Sequence, residues 1–318
     1  MNQKRIGVAA MRGDTKEIVS RVESLEQAGI QAAWVTTGGM RPDGLTILAA
    51  AAARTESIML GTAIIPIYPR HPLVAVQQSI AIANLAPGRF RIGLGPSHQP
   101  SVESVYHYEW VKPLSRLREY VQIFRTAIME GTVDFSGEFY HAHGDLERPV
   151  TDIGIMISAL RPGSYELSGE LTDGAISWVS PYAYLRDSGL PAMQRGAEKG
   201  GREAPPLVAH MPVVVHENRE EVREVVRQYL NHYPTRPFYA RMLAEAGFPE
   251  AEQTGKWTDA MLDALVVSGG EEDVALRIKE IFDYGMGEVI ADIIPVGSNP
   301  EDTWDRTVSL LAEVGKGL

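Results

Sequence analysis

The sequence predicts an α/β fold, a (β/α)8 TIM barrel carrying insertions. Three observations lead there. Eight runs rich in β-formers alternate with segments of helical period along the 318 residues. The strand-like runs hold almost no polar residues, the mark of strands buried on both faces of a helix-covered parallel sheet. Where the pattern is clearest, from Leu60 to Pro100, both strands run into glycine, proline and polar side chains. Ligands bind at that end of a parallel α/β sheet. An open doubly wound sheet is the alternative assembly of the same units.

Arg5 to Ala10 reads as the first strand. Asp14 then caps a helix, with Glu17 completing a capping box; Ile18, Val22 and Leu25 form its apolar stripe and Gly29 ends it. Ala32 to Thr36 is the second strand and Leu45 to Arg54 an alanine-rich helix. Ile58 to Ile65 is the third strand. After the three prolines between Pro66 and Pro72, Leu73, Val76 and Ile80 mark one helix face. Pro87-Gly88 stops that helix, and Phe90 to Leu94 is the fourth strand. A long excursion, residues 101–152, follows. In it Leu114, Leu117, Val121, Phe124 and Ile128 repeat at helical spacing, Gly131 closes the helix, and Val133 to Tyr140 forms a small hairpin around Ser136-Gly137. Ile153 to Ser158, Ala175 to Val179 and Leu207 to Val215 are strands five, six and seven, the last interrupted by Pro212. Helices occupy Ser164 to Leu171, most of Tyr182 to Lys199, and Glu220 to Leu230. Residues 231–263 carry no strand signal and many aromatics, and read as a second excursion. Ser268 caps a further helix with Glu271 at its third position. Glu288 to Ile294 is the eighth strand, and Trp304, Val308 and Leu311 line the last helix. No repeat or low-complexity tract is visible, so residues 1–318 read as one barrel domain.

Composition narrows the function classes. A net charge of −11 with no Lys/Arg run argues against nucleic acid, and 44% hydrophobic residues supply a sizeable core. No apolar run approaches the ~20 residues of a membrane span. The amino terminus runs directly into a strand with no signal-peptide core, and a cytoplasmic enzyme is expected. There is no cysteine, which excludes disulfides, thiolate catalysis and cysteine-ligated metals.

Several motifs fail on inspection. Gly93-Leu94-Gly95 begins like a dinucleotide fingerprint, but His98 stands at the third glycine position. Gly95-Pro96-Ser97-His98-Gln99 lacks the closing glycine of a nucleophile elbow. His141-Ala142-His143, with Asp145 nearby, reads as solvated loop histidines just past the hairpin, and no metal is expected. His71 before Pro72 reads as helix-entry scaffolding, and Ser268-Gly269-Gly270 as plain capping. What remains is the strand–helix–strand unit, residues 60–100, and it resembles the bacterial luciferase-like monooxygenase superfamily. The resemblance extends to Arg116–Tyr140 and to Ser158–Ser177, and the order agrees along nearly the whole chain. Gly-Pro-Ser-His after strand four is most similar to the deazaflavin (coenzyme F420)-dependent subgroup.

The resemblance implies a flavin-type ring stacked near the carboxyl ends of the strands. By position, Ala63-Ile64 matches a non-prolyl cis peptide that backs the ring, and Gly95, Ser97 and His98 flank it. His98 stands where relatives place a catalytic acid. Ala159, Leu160, Arg161 and Gly163 match the backbone that holds the cofactor phosphate, although Arg161-Pro162-Gly163 replaces the more common Gly-Pro-Arg. Trp34, Thr36 and Thr37 are expected on the substrate side. The implied function is hydride transfer between reduced F420 and a small organic substrate. An FMN-dependent monooxygenase using O2 is the alternative, and a flavin-binding barrel without turnover is a third reading. A homodimer is expected by the same resemblance.

Overall fold

A computed structural model describes residues 4–318; Met1 to Gln3, part of the amino-terminal stretch read above, lie outside the described residues. The barrel strands are β1 (Arg5–Ala9), β2 (Ala32–Val35), β3 (Met59–Thr62), β4 (Phe90–Gly95), β5 (Ile153–Ser158), β6 (Gly174–Ile176), β7 (Leu207–Val215) and β8 (Glu288–Ile293). Each pairs in parallel with the next: β1 with β2, β2 with β3, and so on to β7 with β8. β8 returns to β1, with Arg5 opposite Glu288 and Val8 opposite Ala291, so the ring closes. An open sheet is thereby excluded.

Two apolar layers hold this ring. The outer one packs strands against helices and begins as expected. Asp14 and Glu17 form the capping box of helix Thr15–Gln27, and Ile18, Val22 and Leu25 are buried. The inner layer is small: Ala32, Trp34, Met156, Ile176, Val208 and Ile290. Trp34 dominates it. A Cβ added at Gly7 or Gly61 would stand 2.7 or 2.4 Å from its indole, so those glycines make its room. Trp34 Nε1 donates to Glu288 Oε1 at 2.8 Å. Arg91 grips the same carboxylate at 2.6 and 3.0 Å and lies 4.4 Å over the indole. A Trp–Glu–Arg plug therefore fills the amino-terminal end of the barrel and leaves the opposite end for a ligand.

Several elements differ from the expectation, each for a physical reason. The third strand breaks after Thr62: the Ala63–Ile64 peptide is cis, as expected, and Ile65–Pro66 resumes pairing against Leu94 and Gly95. On helix Pro72–Leu85 the buried stripe is Ala75, Val76, Ser79, Ile82 and Ala83, while Leu73 and Ile80 are only half-buried. The helix packs against helices Gly44–Ala52 and Pro113–Glu130, and its buried stripe includes the small residues Ala75, Ser79 and Ala83. The hairpin pairs Thr132–Ser136 with His141–Asp145, so the two histidines lie on its second strand rather than beyond it. Only Val133 and Ala142 are buried there, too weak an alternation to read. β7 runs unbroken through Pro212. Val213 O accepts from Ile294 N, so Pro212 faces the other edge, in the gap between Val208, where β6 pairing ends, and Val213, where Val267 begins to pair. No ladder donor is needed there. Ser268 belongs to that added strand, Val267–Gly269, and Gly270 caps helix Glu271–Asp283 instead. Residues 231–263 hold helices Pro237–Glu245, Glu250–Thr254 and Asp259–Leu265 and no strand. Among the described residues no helix is long and apolar enough to cross a membrane.

Candidate active site

A cavity of about 1580 Å³ opens at the carboxyl ends of the barrel strands and is roofed by the 231–263 excursion. Its shape follows from glycines on β4. A Cβ at Gly93 would stand 1.9 Å from Thr62 O, and one at Gly95 would stand 2.4 Å from Ser158 Oγ and 3.0 Å from the Ile64 side chain. The bare backbone thus lets the Ala63–Ile64 bulge and the end of β5 close in beside β4. Thr62 Oγ1 locks β3 to β4, accepting from Gly93 N at 2.7 Å and donating to Gly93 O at 3.0 Å. The bulge is tied on its other side as well. Ala63 N donates to Val35 O at 2.7 Å, and Ile64 O accepts from Thr37 N at 3.1 Å and Thr36 Oγ1 at 3.3 Å.

The expected site residues converge on this cavity, with differences in what each does. Ala63, Ile64, Ser97, His98, Ala159, Leu160, Arg161 and Gly163 all line it, as do Trp34, Thr36 and Thr37, whereas Gly95 lies just behind the lining. Trp34 is 1% exposed and belongs to the plug, so it forms the cavity floor. Thr37 Oγ1 is occupied by Gly44 N at 2.8 Å. In the segment 159–163 the N–H groups of Leu160 and Arg161 both donate to Ser164 Oγ, at 3.1 and 3.3 Å. The Arg161 guanidinium pairs with Glu245 at 2.6 Å, joining the β5 loop to the excursion.

His98 sits between Tyr233 and Tyr239, ring centroids 5.9 and 5.8 Å away, both from the excursion. Burial, then the charge of Arg236 and then His232, lowers its pKa to about 4, so the imidazole is neutral near pH 7. His98 is not alone. His232 and His210 line the same cavity. His210 lies inside β7 and points inward. It is buried at 4.2 Å from the Trp178 ring, its Nε2 has no hydrogen-bond partner, and burial lowers its pKa to about 3.

Sequence reasoning missed Asp292, whose place on β8 is beside Pro212 of β7. It is 7% exposed and lines the cavity, and its Oδ2 is buried without a partner. Burial pushes its carboxyl above the ordinary range, opposed by Tyr229 and Arg12. A carboxylate inside the apolar run EVIADII was the available signal. Arg236, also missed, lay in a stretch with no pattern to single it out. In all, four arginines, Arg12, Arg41, Arg161 and Arg236, line the cavity against two carboxylates, Glu103 and Asp292. The site is cationic in a chain of net charge −11.

A closed (β/α)8 barrel, plugged at one end and holding a large, arginine-bearing cavity at the other, defines a small-molecule site of the kind this architecture carries. The chain belongs to the luciferase-like monooxygenase family, whose model matches residues 2–288. It is 25% identical over 296 residues to 5,10-methylenetetrahydromethanopterin reductase of Methanolobus tindarius, covering 87% of this chain and 89% of that one. Its fold matches the coenzyme F420-dependent tetrahydromethanopterin reductase of Methanopyrus kandleri with a TM-score of 0.77, at 19% identity over 99% of both chains. It also matches a Pseudomonas putida type II Baeyer–Villiger monooxygenase, the oxygenating constituent of 3,6-diketocamphane monooxygenase in complex with FMN. That TM-score is 0.73, at 16% identity over 99% of this chain and 98% of that one.

Proposed function

We propose that this chain is an oxidoreductase that binds coenzyme F420 in the cavity and passes a hydride between the reduced cofactor and a small organic substrate. The observation that carries the reading is the arginine-bearing cavity at the carboxyl ends of the strands, in a chain of this family and of net negative charge. Both cofactors in question are anionic and planar, and the residues present fit such a group. Ile64 and the backbone of the bulge, which glycine at 95 lets close in on β4, offer an apolar backing. The buried Nε2 of His210 and Oδ2 of Asp292 lack partners that a polar ring edge or a substrate supplies. At the phosphate end, Ser164 Oγ now satisfies the Leu160 and Arg161 N–H groups. It must turn aside before they can reach a phosphate.

When bound, a deazaflavin supplies a two-electron hydride from the carbon that replaces the flavin N5, whereas FMN supplies reaction with O2. The protein's part is to hold, dry and protonate. Tyr233, Tyr239 and Trp178 wall the cavity with aromatic surface. His98, at the end of β4, is the proposed proton-side residue. Since it is neutral near pH 7, it works as an imidazole N–H donor. Asp292, whose carboxyl pKa is raised by burial, lines the same cavity. FMN-dependent monooxygenation is the competing reading, motivated by the FMN-bound structural neighbour. Parallel equilibrium titration with F420 and FMN separates the two, together with oxygen uptake in the presence of reduced FMN. F420 is expected to bind more tightly. FMN binding tenfold tighter, a difference of about 1.4 kcal/mol, overturns the assignment.

A further inference from the structure

We infer that Arg236 anchors an anion subsite in the cavity wall, one that takes a carboxylate or phosphate group of a bound molecule. The inference rests on the proposed reading only in that this cavity is where the ligand sits.

Arg236 is half-buried and lines the cavity from the 231–263 excursion, immediately before helix Pro237–Glu245. Its Nε and Nη1 are buried with no hydrogen-bond partner. Two of the other cavity arginines are occupied, and the third, Arg41, is exposed with one marginal contact. Arg161 is held by Glu245 at 2.6 Å, Arg12 donates to Ile293 O, and Arg41 reaches Met11 O at 3.5 Å. Arg236 has no ion pair among the described residues; its contact is the face of Tyr233, 5.9 Å away. Neither acid of the lining, Glu103 or Asp292, pairs with it. Buried guanidinium donors without acceptors cost free energy that nothing in the protein returns, and such groups in native structures call for an explanation. His98 and His232 stand close enough for the Arg236 charge to lower the pKa of each, after burial itself. A lone guanidinium facing a cavity among imidazoles and tyrosines is chemistry for an oxyanion.

Two sources can bring that oxyanion: the phosphate-bearing tail of the cofactor, or an acidic substrate. The test uses wild type, Arg236→Gln and Arg236→Lys. Inorganic phosphate and acetate are titrated by thermal shift, with and without saturating F420. F420 and FMN are titrated alongside the same deazaflavin without its phosphate tail and riboflavin. Phosphate is expected to raise the melting temperature of wild type, to do so weakly in Arg236→Lys, and to have no effect in Arg236→Gln. If Arg236→Gln weakens F420 at least tenfold but leaves the tail-less deazaflavin unchanged, the cofactor tail is the source. If phosphate still stabilises F420-loaded wild type and not F420-loaded Arg236→Gln, the source is the substrate. Phosphate, F420 and FMN binding Arg236→Gln as they bind wild type overturns the inference. Should Arg236→Gln not fold, Arg236→Lys decides: unchanged binding of all three overturns it, and weakened binding supports it. A wild type that binds neither F420 nor FMN sinks the cofactor reading alone, because the phosphate arm on the unloaded protein needs no cofactor.

Discussion

His98 and His210 stand at one cavity, and burial keeps both neutral at ordinary pH. Their folded pKa values, about 4 and about 3, lie below the ordinary 6.5. Between those values and about 6.5 the unfolded chain binds more protons, so stability falls as pH falls through that window and is unaffected above it. Each histidine withdraws up to about 1.4 kcal/mol per pH unit there. Urea denaturation at pH 7.5, 6 and 5 should show the loss, and His98→Gln should lessen it, leaving the part due to His210; a slope unchanged by that substitution would place His98 in a wetter setting. His98→Ala should lower turnover by about 10²-fold with far less change in cofactor affinity. In the wild type the acidic limb of the rate profile should lie near pH 4, not near 6.5, and His98→Ala should remove it. Asp292 acts with the opposite sign. A raised carboxyl pKa means that the folded state holds the proton more tightly, so Asp292 costs stability as pH rises through that pKa. Asp292→Asn should therefore stabilise the protein at pH 7.5 by about 0.5–2 kcal/mol while slowing turnover. A less stable Asp292→Asn would mean that Tyr229 and Arg12 outweigh the cost of burial.

At the scale of the element, β4 governs how near its neighbours come. Gly93→Ala forces a Cβ to 1.9 Å from a backbone oxygen of β3, which cannot swing away. A loss of about 1–3 kcal/mol or failure to fold is expected in guanidinium melts; near-wild-type stability would mean that β3 and β4 can separate. The strand pattern was legible because buried parallel strands announce themselves as apolar runs, and all eight were found within a few residues. Ser268 misled because a serine three positions before Glu271 imitates a capping box, while pairing with β7 draws it into a strand. Much of the site's lining was legible through its resemblance to a family, since residues 63–64, 97–98 and 159–163 sit at strand ends. The roles of Trp34, His210, Asp292 and Arg236 were not. Which way a strand residue points, and whether it finds a partner, depends on chain far away in sequence. Charged residues within apolar strands, Arg91, Glu288 and Asp292, were the overlooked clue.

For the molecule as a whole, a cationic cavity inside an anionic protein makes ligand capture sensitive to salt. Raising ionic strength shortens the Debye length from about 10 Å at 0.1 M to about 3 Å at 1 M. The affinity for the anionic cofactor should fall over that range, and that for its tail-less form should not. Equal salt dependence would argue that the arginines do not face the ligand. The closure of the ring has a consequence for how the chain is made. β1 is synthesised well before β8, yet one of its two edges is completed only by β8, some 280 positions later. Until then a growing chain carries two open hydrogen-bonding edges, on β1 and on β7, ready to pair with a neighbour. The residue that ends this exposure is also Glu288, the acid that Trp34 and Arg91 await. A nascent chain stalled before Glu288 should therefore be the aggregation-prone form of this protein, and release of only a few more residues should convert it into a sealed one.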